Sequence, residues 1–165
     1  MQDKAVSIYL NDHLSGATMG VELARRMARE HKSSGRSAVL DSLAEDIAQD
    51  RRSLLAVMDG LDVAPHRYKV YAGWAAEKVA RLKPNGRVHR RAGLSDLVEL
   101  ESLRLGIQGK FELWRALMPV AAERSHIDTS RLQELMDRAK QQMATVDALH
   151  DDAATEVLSG SAHEG

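Results

Sequence analysis

The chain has 165 residues, no cysteine, three prolines and a formal net charge of −1 at pH 7. That length sets a single domain large enough to bury a core, and the missing cysteine excludes disulfides, thiol nucleophiles and Cys-based zinc sites. The start, MQDKAVSIYL, carries no signal-peptide core, and no stretch reaches the roughly 20 apolar residues of a membrane helix, so a soluble, cytoplasmic protein is expected. Ala, Leu, Arg and Glu dominate and aromatic residues make up only 4 %, a helix-favouring composition.

Apolar spacing predicts a first helix from Asp3 to His31, with Val6, Leu10, Leu14, Ala17, Val21, Ala24 and Ala28 in one stripe. KSSGR (Lys32–Arg36) ends it. A second helix follows from Ser37 to Gly60 on Leu40, Leu43, Ile47, Leu54, Val57 and Met58, and LDVAP (Leu61–Pro65) breaks it. A shorter helix over Arg67–Lys83 stops at Pro84-Asn85-Gly86, and a basic loop, Arg87–Gly93, leads onward. The next long helix is expected from Ser95 or Asp96 to Met118, apolar on Leu97, Leu100, Leu103, Ile107, Phe111 and Trp114. Its Leu105, Leu113 and Leu117 lie off that stripe, so the helix is either central or shared with a second subunit.

The last helix begins after HIDTS, where Ser130 and Gln133 have capping-box spacing. Leu132, Met136, Ala139, Met143, Val146, His150, Ala153 and Val157 then form a heptad seam. No strand pattern occurs. The prediction is an all-α four-helix bundle over residues 1–158, with a flexible tail at 159–165 and the shorter helix in a crossover between the second and third long helices.

YLNDHLSGATMGVELARR (Tyr9–Arg26) and VELESLRLGIQGKFELWRALM (Val98–Met118) resemble two motifs of a family of uncharacterised bacterial helical-bundle proteins akin to the ferritin-like superfamily. The resemblance covers most of the chain. It implies the ferritin-like fold and no particular activity.

Ferritin-like di-iron centres need inward carboxylates on four helices and Glu-x-x-His on two of them. Here Glu123–His126 is the one literal match, and it falls after Pro119, where a loop is expected; Asp147–His150 is an Asp-x-x-His on the last helix. Asp50 sits among Ile47, Leu54 and Val57 with Ser53 where a histidine would be needed, Glu101 and Arg104 border the third long helix's apolar face, and His13 falls in the first helix's stripe. Two readings follow. In one, Asp50, Glu101, Asp147, His150 and His13 hold iron or another transition metal for an oxidase or iron-handling protein. In the other they form a buried polar network without cofactor, with Arg104 or a histidine as the natural partner of Asp50, because an unpaired buried charge is costly.

Residues 67–91 carry eight Lys/Arg against the single acid Glu77, while 147–164 carry five acids and no Lys or Arg. Arg81, Lys83, Arg87, Arg90 and Arg91 around the Gly86 turn make a candidate polyanion site. No aromatic residue is interleaved in 83–93, which speaks against nucleic acid. No nucleophile motif or phosphate-cradling loop occurs, and Gly86 and Gly93 read as turn glycines. Gly16 and Gly20, and again Gly106 and Gly109, predict close helix–helix approach, so that Gly20→Leu would destabilise. Together these features favour a non-enzymatic structural, binding or stress-associated bundle, with a homodimer as candidate assembly and no membrane partner.

Overall fold

A computed structural model describes the backbone of residues 2–66, 88–123 and 127–159, and the side chains of 4–66, 93–123 and 127–159. Every regular element among the described residues is helical: α1 (Gln2–Glu30), α2 (Ser37–Gly60), α3 (Val88–Glu123) and α4 (Thr129–Ala154), the last followed by a π-helical turn, Thr155–Ser159. None of these helices is long and apolar enough to cross a membrane. The predicted short helix over 67–83, its Pro84–Gly86 turn and the tail from 160 lie outside the described residues.

Helix ends follow local chemistry. After α1, the Ser34 hydroxyl and amide both donate to the His31 carbonyl, and Arg36 N donates back to Ser34 Oγ at 3.2 Å, closing the KSSGR turn. α2 stops where Asp62 takes a φ of 54° and Val63 N returns to the Met58 carbonyl, a left-handed C-terminal cap that disfavours further helix. α4 is capped by Asp128, whose carboxylate accepts from Ser130 N at 2.8 Å. The Ser130–Gln133 capping box is therefore replaced by an Asp two residues earlier, since the residue outside the helix is the one free to accept.

α3 departs most from expectation. It is already helical at Val88, where a basic loop was predicted, and it runs through Pro119 to Glu123. Pro119 has no N–H to donate to the Arg115 carbonyl, so the last turn continues with one helical hydrogen bond forgone. Gly93 is no turn glycine: it lies inside α3, and a Cβ there would overlap Val157 of the π-helical turn.

Three contacts set the helix directions. Arg26, late in α1, pairs with Glu99, early in α3, at 2.7 Å. Asn11, early in α1, holds residues 64 and 66 just after α2. Arg36, at the start of α2, pairs with Glu156 just past α4. So α1 and α4 run one way, α2 and α3 the other, and α2 ends at the opposite end of the bundle from where α3 begins.

Two apolar clusters fill the interior. One gathers Val21, Met27, Leu40, Ile47, Leu100, Ile107 and Val146 at the α3-start end. The other gathers Leu10, Leu14, Leu54, Met58, Leu113, Trp114 and Leu132 at the far end. The switch falls between Leu14 and Val21, Ile47 and Leu54, Ile107 and Leu113, and Met136 and Ala139, one level on all four helices.

Among the described residues, the close-approach reading of the glycines finds no partner. A Cβ on Gly16, Gly106 or Gly109 meets no described atom within 4 Å, and one on Gly20 meets only Ile47 Cγ2 at 4.0 Å, an ordinary contact. No described atom stands in the way at Gly16, so Gly16→Ala is expected to raise stability by about 0.5–1 kcal/mol through helix propensity. Urea unfolding would show this; a loss of stability would mean that Gly16 is covered.

Candidate functional site

The level between the two apolar clusters is polar. Asp50 of α2 is 1 % exposed. Its Oδ1 accepts from Arg138 Nη2 of α4, and its Oδ2 from Lys110 Nζ of α3 and from Gln142 Nε2 of α4, the last at 2.8 Å. Lys110 also donates to Gln142 Oε1, which closes a ring of three side chains. At the same level Arg51 Nε of α2 donates to Thr18 Oγ1 of α1 at 2.9 Å. All four helices thus contribute to one polar layer.

Its electrostatics follow from burial. Burial pushes the Lys110 ammonium below its usual pKa, and the Asp50 carboxylate beside it pulls the other way. Removing Asp50 would strand the Lys110 charge in a poorly solvated interior, whereas removing Lys110 leaves Asp50 with Arg138. Arg138 Nε is buried without a partner among the described residues. Outside the layer, α2 and α4 leave a cleft of about 390 Å³ between Val39, Ser42, Asp46, Arg138, Gln142 and Thr145.

The candidate ligands divide among separate contacts. Glu101 Oε1 meets His150 Nε2 at 3.2 Å, so these two residues come together across α3 and α4. Asp147 is paired instead with Arg104 Nε at 3.0 Å. Arg104 therefore does not serve Asp50: it leans outward between Asp147, Gln108 and Met143. No group of three or more His, Asp or Glu among the described residues is placed to hold a metal ion, because the oxygens of Asp50 point at cations on the neighbouring helices. Glu123 ends α3, and its expected partner His126 lies outside the described residues. So do Arg81, Lys83 and Arg87; Arg90 and Arg91 belong to the first turns of α3, their side chains outside the description.

His13 stacks edge-to-face on Tyr9, with ring centroids 4.6 Å apart. Burial lowers its pKa from the usual 6.5, and Asp12 opposes this. The unfolded chain therefore binds the proton more readily, so the His13 contribution is favourable above pH 6.5 and is lost as pH falls through that region. Melting between pH 7.5 and 5.5 should show His13→Gln less acid-sensitive than the parent; an unchanged slope would contradict this.

Three buried polar residues escaped the sequence reading: Asn11, Lys110 and Gln142. Asn11 is 4 % exposed; its amide donates to the Ser7 and Ala64 carbonyls, and its oxygen accepts from His66 N at 2.6 Å. It thereby pins the chain leaving α2 onto α1. Its signal was position, one residue after the core Leu10. Lys110 lies between Ile107 and Trp114, and Gln142 beside Met143, but a lysine or glutamine at such a flank is normally solvated.

Against this geometry stands one result from comparison with known proteins: no protein-family model, no curated protein and no solved structure matches the chain.

Proposed function

We propose that the chain is a ferritin-like helical bundle with a non-enzymatic, structural or binding role, in which the polar layer around Asp50 fixes the register of the helices. One observation carries this reading: both carboxylate oxygens of the most buried acid are occupied by Lys110, Arg138 and Gln142 from two other helices. Such a carboxylate has little capacity left for a ligand. A shift of α2 would unpair all three charges, and a shift of α3 or α4 would unpair Lys110 or Arg138, which penalises those registers. The ferritin-like part is supported by α2 and α3 running parallel from opposite ends, so that a long crossover joins them.

Metal handling is the competing reading, and the experiment separates the two. Untagged protein would be analysed for metals and then titrated with Fe(II) in air. The expected result is no stoichiometric metal and no acceleration of iron oxidation. Stoichiometric iron whose binding is lost in Glu101→Gln or His150→Gln would overturn the proposal.

A further inference from the structure

The outer side of α3 carries apolar surface that the bundle does not use. Leu105 is 71 % exposed and Val98 is 43 % exposed, and the seven-residue spacing puts them on one line along the helix. Beside Leu105, Gly106 and Gly109 offer open space where side chains would otherwise stand. A protruding leucine next to a bare strip of the same helix is a knob beside a hole, and two such surfaces fit each other when one is turned by 180°. The charges agree with that pairing. Glu101, 60 % exposed, and Arg115, 66 % exposed, stand on the α4-side flank of this line, one on either side of Leu105 and Gly109.

We propose that this face of α3 is an isologous dimer surface that seats the same face of a second copy of the chain. With the two α3 helices antiparallel and the two-fold axis beside residue 107, Leu105 enters the hole at Gly109 of the second copy and Val98 covers its Ala116. Flanking residues on one side of an antiparallel helix pair meet their own counterparts. Glu101 therefore faces Arg115 of the second copy, and symmetry repeats the pair. Among the described residues of one chain these groups have half-buried partners: His150 for Glu101, and Glu112 and the Phe111 ring for Arg115. Both can turn to the second copy at little cost. The bare glycines, which nothing described inside the bundle explains, then allow the two α3 backbones to approach closely.

The test is sedimentation equilibrium of the full chain over a range of concentrations, with circular dichroism to confirm that each variant stays helical. A concentration-dependent dimer is expected. Leu105→Glu should raise its Kd by about 100-fold, the scale of a central apolar anchor. Glu101→Arg alone and Arg115→Glu alone should each raise Kd by about tenfold, since each reversal converts two attractions into two repulsions, and the double swap should restore dimerisation. The swap does not depend on Leu105→Glu folding. A chain that stays monomeric at every concentration would overturn the proposal. So would a dimer indifferent to these changes, which pairs through another face, or single reversals that the double swap does not rescue.

Discussion

Asp50→Ala is expected to destabilise the protein by about 3–5 kcal/mol, as much as a large core truncation, although it removes only a carboxylate. The cost comes from what remains. Lys110 and Arg138 would lose the carboxylate that pairs them both, leaving Lys110 only the more distant Asp46, and Gln142 would lose its acceptor. Asp50→Asn should recover only part of the loss, since it keeps one acceptor oxygen, turns an amide donor toward the other donors and leaves the charge unbalanced. Replacing the set with apolar residues (Asp50→Leu, Lys110→Met, Arg138→Met) should regain most of it, since a buried ion pair contributes little net stability over well-packed hydrophobic groups. Urea unfolding of the series reads all three, and a loss below about 1 kcal/mol for Asp50→Ala would mean that water solvates the cations.

Trp114 anchors the second large effect. It is fully buried in the cluster with Leu10, Leu14, Leu54, Met58 and Leu132, so Trp114→Ala should cost about 3–5 kcal/mol through lost burial and the cavity left behind. Trp114→Phe should cost far less than the volume change suggests. The indole Nε1 is buried with no partner among the described residues, and phenylalanine removes that orphan donor along with the lost atoms. The comparison is made by thermal and urea unfolding of both variants. Equal losses for Ala and Phe would show that the indole N–H is satisfied after all.

Helices were legible in the sequence wherever one face is apolar: α2 begins and ends where the spacing puts it, and Leu40, Leu43, Ile47, Leu54 and Met58 are all buried. The α3 boundaries were not, because a run of arginines and a proline read as loop, whereas the helix begins at Val88, includes Gly93 beside Val157, and continues past Pro119. For the interior, the sequence pointed correctly to Asp50 as an inward acid but not to its partners. Arg104 sits on the same apolar stripe as Leu97 and Phe111, yet its long side chain reaches out to Asp147. Lys110 lies off that stripe, yet reaches inward to Asp50. Periodicity locates a Cα on a helix face; it does not say where a flexible side chain puts its charge. The glycines failed for a related reason. A bare helix strip signals that something packs there or that nothing does, and only the neighbouring elements decide.

The polar layer as a register device is tested most directly by a double-mutant cycle on Asp50→Ala and Lys110→Met, measured by urea unfolding. Asp50→Ala strands Lys110, and Lys110→Met leaves Asp50 with Arg138 as its one close cation, whereas the double variant strands neither of the two, so its loss should fall short of the summed single losses by about 1–3 kcal/mol. Losses that simply add would contradict the claim, because they would mean that Asp50 and Lys110 occupy the bundle centre without depending on each other.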